Sequence, residues 1–226
     1  MITSAFEQFR DQAWPYHYTA SLHVRNIVGG TPSDPHVGEG YIRSKLAGPD
    51  ELIQQLVVIL MQERGITAEQ AAAEADRLKH LTGFRRDERG LYIEGRQAKA
   101  CIKEATSVAY ATGKLLNHKG ANSWGRTSKG IHGFIAEHVC VMDDHIYLGR
   151  MEPDLIEQKF VHTWQGNGIQ YQECVTEADL TIHVDTDYLF TEQQWAMIWL
   201  TAEQQGIGAS RSQGHGRFTV TEWKQS

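Results

Sequence analysis

The sequence lacks several features that would mark particular classes of protein. No apolar run approaches the roughly 20 residues that a membrane-spanning helix needs, and the start, Met1 to Glu7, lacks the basic-then-apolar pattern of a secretory signal. Cysteine is scarce: Cys101, Cys140 and Cys174 are odd in number and widely separated, which argues against a disulfide framework and a Cys-x-x-Cys zinc site. We therefore expect a cytosolic protein whose thiols are reduced and buried.

The acidic formal charge of the chain conceals a basic segment. The 226 residues carry a formal net charge of -6, whereas residues 77–129 contain twelve lysines and arginines against four acids, a balance of +8. Phosphate contacts depend on local rather than total charge, so this basic band is compatible with binding of nucleic acid. A solvated helix face followed by a charged loop would explain the same run without a ligand.

The spacing of apolar residues predicts an α+β order of elements. The predicted strands cover residues 17–28, 138–142, 145–148, 160–164, 169–175, 178–184 and 218–223. The predicted helices cover residues 49–65, 67–81, 97–116 and 191–205, and residues 117–133 are predicted to form a loop. This order fits a ferredoxin-like (RRM-like) core in a single domain, 1–226, with a helical insertion at 49–83 and a β-hairpin excursion at 153–176.

Local signals support several of these boundaries. Capping-box spacing occurs at Thr67 and Thr191, each with a glutamine three residues later. The Asn-Gly pair at 167–168 is a strong hairpin-turn signal. The strands 138–142 and 145–148 are predicted to pair with each other about the Asp-Asp turn between them.

A glycine-rich loop near the C-terminus is the strongest functional signal. Gly206-Ile207-Gly208 and Gly214-His215-Gly216 flank a polar, cationic segment, with a helical pattern before the loop and an alternating strand pattern after it. Glycine permits positive φ and lets the backbone come close to a ligand, because no Cβ stands in the way. Exposed amides with Arg211 and Arg217 would suit a phosphate chain. A tight helix-to-strand connection is the alternative interpretation.

This loop resembles the glycine-rich loop of the RAMP superfamily, the RNA-binding proteins of CRISPR systems. Two further segments share the resemblance. Ile93-x-Gly95-x-x-x-Lys99 is similar to the strand-to-helix element of effector-complex backbone subunits, although Glu94 stands where that family usually has proline. Residues 26–30, Asn-Ile-Val-Gly-Gly, are similar to the loop after the family's first strand. The resemblance covers the chain from about residue 17 to its end, in the family's order.

The resemblance implies a ferredoxin-like fold and a guide RNA or another single strand as ligand, held together with copies of the chain and other effector subunits. No cofactor and no membrane are implied. Lys99 and Lys103 lie one helical turn apart and near a helix start, which favours an anion. The candidate nucleic-acid contacts are Gly206, Gly208, Ser210, Arg211, Ser212, Gly214, His215, Gly216, Arg217, Arg96, Lys99, Lys103, Lys119, Trp124, Arg126 and Lys129. Ordinary solvated lysines, and core packing for Trp124, are the alternatives.

An enzyme is the second hypothesis. In type III backbone subunits an aspartate after the first strand takes part in metal-dependent RNA cleavage, and Asp34 occupies a similar place, so Mg²⁺ would be needed only in that case. An aspartate before proline is also a common turn residue. A metal-independent RAMP ribonuclease would use a histidine as general acid or base. The candidates are His17, His23, His36 and His215.

Two other hypotheses stay open. Zinc binding would draw on His132, His138, Cys140 and His145, although side chains on a hairpin at 138–148 need not converge. A structural or scaffold protein of a mobile element could keep the same fold without binding nucleic acid.

Overall fold

The computed structural model of the chain describes Phe9 and residues 12–32, 49–115, 130–163 and 166–225. The helices are α1 (Pro49–Arg64), α2 (Ala68–Lys79), α3 (Gly95–Ala111), α4 (Gly130–His138) and α5 (Glu192–Gln205). The strands are β1 (Tyr16–Val28), β2 (Thr31–Pro32), β3 (Leu81–Gly83), β4 (Arg85–Asp87), β5 (Gly90–Glu94), β6 (Val139–Val141), β7 (His145–Tyr147), β8 (Leu155–Thr163), β9 (Gly166–Thr186) and β10 (Arg217–Gln225). Predictions on Asp34, His36, Lys119, Trp124, Arg126 and Lys129 lie outside the described residues.

One of two compact units contains the predicted core. It comprises Met1–Ile27, Tyr92–Arg150 and Thr176–Ser226. In this unit the chain runs through β1, α3, β6, the C-terminal half of β9, α5 and β10, and the sheet order is β10-β1-β9-β6. This β-α-β-β-α-β succession, with its first and third strands in the centre of the sheet, is the ferredoxin-like arrangement. The fold class is therefore α+β, as the pattern predicted.

The core of this unit follows from the alternation along β1. Tyr18, Ala20, Leu22 and Val24 are all buried, and the residues between them face away from the core. The buried positions of α3 and α5 pack against each other. Aromatic side chains of α5 and β10 complete this core. The Trp223 ring stacks on the Tyr18 ring, with ring centroids 4.9 Å apart. The predicted strand over 17–28 is confirmed.

The other unit comprises Val28–Leu91 and Met151–Val175. Its sheet has the order β8, the N-terminal half of β9, β3 and β2. Helices α1 and α2 pack together through Leu56, Leu60, Ala71, Ala75 and Leu78. The capping box at Thr67 is formed, because its hydroxyl accepts from the Gln70 amide at 3.3 Å and the Gln70 side chain accepts from the Thr67 amide at 3.2 Å. Both helices were predicted.

Several predictions about pairing were wrong. Strands β6 and β7 do not pair with each other: β6 pairs with β9, and β7 pairs with β5 in a second sheet. The helix predicted to run to residue 81 ends earlier, and residues 81–83 form β3, which lies parallel to β9. Residues 130–133 were predicted as loop and residue 138 as the start of a strand, but residues 130–138 form α4. Burial of Phe134 and Ile135 stabilises this helix, whose glycines disfavour it by intrinsic propensity.

The predicted hairpin also differs in detail. Strands β8 and β9 pair from Leu155↔Cys174 to Thr163↔Gly166, so the ladder extends past the Asn-Gly pair that was predicted as the turn. Strand β9 then continues to Thr186, joining two strands that the sequence pattern separated. The helical insertion and the hairpin both belong to the second unit. Within the described ranges no helix is both long and apolar enough to span a bilayer.

Candidate nucleic-acid interface

The two ends of the glycine-rich loop, which form its stem, are hydrogen-bonded to each other and to neighbouring elements of the fold. Helix α5 ends at Gly206, whose φ is 80° and whose amide donates to the Ala202 carbonyl at 2.9 Å. The Ile207 amide donates to Gly216 O at 2.8 Å, and the Gly216 amide donates to Asn26 O at 3.0 Å. A Cβ on Gly216 would lie 1.8 Å from Ile207 O, and one on Gly206 would lie 2.5 Å from His215 O. For Gly206 and Gly216 the alternative interpretation, a tight connection, therefore describes the structure.

The outer part of the loop has open backbone. Gly208 and Gly214 have φ values of 90° and 91°, and Ser210 is left-handed at 52°. A Cβ on Gly214 would meet nothing within 4 Å. The amides of Gly208 and Ala209 donate to no acceptor in the part of the chain that the structure describes. This segment can therefore approach a ligand closely and donate to it.

Arg211 is already paired. Its Nη2 lies 2.9 Å from Glu104 Oε2 on α3, and only 25% of the Arg211 side chain is exposed. On the same helix, Cys101 donates its thiol hydrogen to Gly206 O at 3.3 Å. Burial raises the pKa of Cys101 to about 12, and nearby Arg211 offsets this in part. Arg211, predicted to contact phosphate, thus holds the loop against α3 together with Cys101.

Arg217 has a neighbour that the sequence analysis missed. It begins β10 and lies directly opposite Arg25 of β1 in the antiparallel ladder. Both side chains are exposed, and neither forms an ion pair or hydrogen bond with a described residue. The alternation along β1 already places Arg25 on the outward face, but only strand pairing shows that it faces Arg217.

The start of α3 satisfies its own amides. Glu94 and Gln97 form a capping box, which explains why a carboxylate stands where the resemblance implies proline. The Gly95 amide donates to Asp144 O at 3.1 Å. Arg96 forms an ion pair with Glu94. These contacts weaken the case for an anion at this helix start, which was argued from free amides and nearby cations.

The two lysines of α3 differ in their surroundings. Lys99 Nζ donates to Ala136 O at 3.1 Å, and so caps the last turn of α4. The ammonium group of Lys103 has no partner among the described residues. A groove of about 500 Å³ borders Lys99 and Arg96, but Glu94, Asp143 and Asp144 also line it. Its mixed charge suits a phosphate strand less well than the loop does.

Three histidine–aspartate pairs lie on the outward face of the core sheet. His17 Nδ1 is 2.8 Å from Asp185, His23 Nδ1 is 2.8 Å from Asp179, and His183 Nδ1 is 2.9 Å from Asp143. The outward positions of β1 and β9 between 17–25 and 177–185 carry polar residues and no Phe, Tyr or Trp. These positions therefore offer no aromatic platform of the kind on which an RRM stacks bases.

The residues of the zinc hypothesis are dispersed. His138 Nδ1 is 2.8 Å from Asp187, His132 Nε2 is 3.0 Å from Ser107 Oγ, and the His145 ring stacks on Tyr92 at 3.9 Å. Within the described residues, no group of three or more His, Cys, Asp or Glu side chains is arranged to hold a metal ion.

Comparison with known proteins finds similarity among solved structures. The sequence matches no protein-family model, and no curated protein matches it. Among solved structures, a chain in a cryo-EM structure of the Type III-B Cmr-beta bound to cognate target RNA aligns with a TM-score of 0.49 and 10% sequence identity. The alignment covers 98% of this chain and 64% of that chain.

Proposed function

We propose that this chain binds the phosphate backbone of a single-stranded nucleic acid, a guide RNA in a CRISPR-type or related ribonucleoprotein assembly. The outer part of the loop, residues 208–215, is the proposed contact surface. One observation carries the proposal: the backbone amides of Gly208 and Ala209 donate no hydrogen bond to a described residue, and the space around Gly214 is open. Backbone amides and arginines bind phosphates without reading bases, so the contact would not depend on sequence.

The shape of the loop supports this assignment. Its stem is held by hydrogen bonds to Asn26 and within the loop. The outer amides are therefore presented on a fixed base, which lowers the entropy cost of binding. The family resemblance supports guide RNA as the strand, and other subunits and copies of this chain as partners. Lys103 and the basic band over 77–129 would add charge.

A matched pair of glycine variants tests the proposal. Gly214 and Gly65 both have positive φ, 91° and 62°, and at both an added Cβ would meet nothing within 4 Å. Gly65 lies at the end of α1 in the other unit. Valine at either site should cost a similar stability, about 1–2 kcal/mol. Only Gly214→Val should weaken binding of a labelled single-stranded RNA; equal binding by both variants would refute the proposal.

One observation favours a second candidate, the metal-independent ribonuclease. Asp179 bonds His23 Nδ1 and leaves Nε2 of this half-exposed ring for a substrate hydroxyl. His23 lies two residues from the unpaired Arg25 on the same outward face. Such a histidine could remove the 2′-hydroxyl proton of RNA beside a bound phosphate. Incubating RNA with the protein in EDTA tests it, since cleavage that His23→Ala abolishes would establish this activity.

A further inference from the structure

Arg25 and Arg217 form an unusual cross-strand pair. They are direct partners in the β1–β10 ladder, where opposite Cβ atoms lie about 4.5–5.5 Å apart. Like charges directly opposite each other destabilise a sheet. The preceding pair in the ladder, Val24 and Phe218, is buried, so the two guanidinium groups emerge together on the outward face.

Neither arginine forms an ion pair with a described residue. Asp179, an outward acid of β9, bonds His23. Glu177 is the outward acid of β9 closest to Arg25, because the His17–Asp185 and His23–Asp179 contacts set a register that continues to this pair. Its side chain is exposed and forms no ion pair with either arginine. Within the part of the molecule that the structure describes, no direct ion pair therefore relieves the repulsion between the two guanidinium groups.

The pair lies beside the stem of the glycine-rich loop. The Gly216 amide donates to Asn26 O at 3.0 Å, and these two residues adjoin Arg217 and Arg25 in the chain. Ile207, which bonds Gly216, leads into the open amides of Gly208 and Ala209. A phosphate held by the two arginines and a phosphate held by the loop would therefore belong to the same nucleic-acid strand.

We infer that Arg25 and Arg217 form a two-guanidinium clamp for one phosphate group. Guanidinium groups bind phosphate oxygens with paired hydrogen bonds, and one dianionic or monoanionic phosphate between them would convert repulsion into attraction. The ligand class is a phosphate, either a phosphodiester of the bound strand or a free phosphate. The phosphodiester assignment rests on the proposed function, whereas the clamp itself does not.

The test compares Arg25→Gln, Arg217→Gln, the double variant and the control Arg150→Gln, which removes one exposed arginine charge elsewhere. Affinity for single-stranded RNA at low salt should fall about tenfold in each clamp variant. The magnitude of the log-log salt slope should decrease by about 0.7. Because one phosphate is shared, the double variant should lose little more than either single variant. The control should bind like the unaltered protein.

Thermal unfolding with inorganic phosphate, against chloride at equal ionic strength, separates the two possible failures. Phosphate should raise the midpoint of the unaltered protein and of Arg150→Gln, but not of Arg25→Gln. In chloride, Arg25→Gln should not lower the midpoint, since it relieves repulsion. If phosphate stabilises the protein but RNA does not bind, the clamp stands and the proposed function is refuted. RNA binding that Arg25→Gln and Arg217→Gln leave unchanged would assign the clamp to free phosphate. Phosphate that fails to stabilise the unaltered protein, or that stabilises Arg25→Gln equally, would overturn the clamp.

Discussion

The guanidinium of Arg211 lies 2.9 Å from the carboxylate of Glu104, across 107 positions of the sequence. This ion pair joins the glycine-rich loop to α3, and it occupies a side chain that would otherwise be the obvious ligand for a phosphate. The loop is therefore anchored by one arginine, while Arg217 remains without a partner among the described residues.

Releasing Arg211 should strengthen binding. Glu104→Gln removes the competing charge and keeps the shape of the side chain, so affinity for single-stranded RNA should rise a few-fold at low salt. Arg211→Ala should lower the free energy of unfolding by about 0.5–1 kcal/mol, since the pair is partly exposed. Fluorescence anisotropy and urea titration measure the two effects. Unchanged affinity in Glu104→Gln would show that Arg211 never reaches the strand.

Gly216 should be more important for stability than for contact. Gly216→Ala places a Cβ 1.8 Å from Ile207 O, and its φ of 68° is unfavourable for alanine. We expect a loss of unfolding free energy of about 3 kcal/mol or more, against about 1 kcal/mol for Gly214→Ala. Chemical denaturation of the two variants measures this. Similar losses at both positions would contradict the distinction between stem and outer loop.

The two lysines of α3 should behave differently. Lys99→Gln removes a hydrogen bond to the end of α4 and should reduce stability by about 0.5–1.5 kcal/mol. Lys103→Gln should leave stability unchanged and reduce the salt dependence of RNA binding, by about 0.7 in the log-log slope if it contacts one phosphate. Thermal unfolding and binding at several salt concentrations separate the two roles. A loss of stability in Lys103→Gln would argue against this assignment.

Metal-dependent cleavage is not expected from the isolated chain. Mg²⁺ needs several oxygen ligands, and in sequence the acid nearest to Asp34 is Glu39, so further ligands would have to come from the strand or another chain. We expect the protein to bind labelled RNA with Mg²⁺ or Mn²⁺ without cutting it, and Asp34→Ala to keep its affinity. Gel electrophoresis reports both. Cleavage with metal that Asp34→Ala abolishes would instead establish the nuclease hypothesis.

The buried thiol of Cys101 should make the protein sensitive to alkali. Its pKa is raised from 9.0 to about 12, mainly by burial. A folded pKa above the unfolded value means that the stabilising contribution is complete below pH 9 and is lost as pH rises toward 12. Cys101→Ala should therefore lose less free energy of unfolding than the unaltered protein over this interval. Cys174, raised to about 11, contributes the same trend in both proteins. Parallel curves for the two proteins would contradict this account.

Local features of the sequence determined much of the core. The alternation along β1, the two capping boxes and the order of helix, glycine-rich loop and strand at the C-terminus all depend on neighbouring residues. Both boxes are formed, including the one in which the Thr191 hydroxyl accepts from the Gln194 amide at 3.2 Å. Because these features depend on residues that are close together in the sequence, they can be recognised without knowing which distant residues they contact.

The tertiary structure alone decided which residues meet. Strands β6 and β7 join different sheets, although they are adjacent in sequence: β6 pairs with β9 and β7 pairs with β5. Arg211 forms an ion pair and Arg25 does not, and the residues beside them in the sequence predict neither outcome. Strand pairing and ion pairing join residues that are far apart in the chain. Which cationic side chains of a site are available to a ligand therefore depends on the tertiary structure.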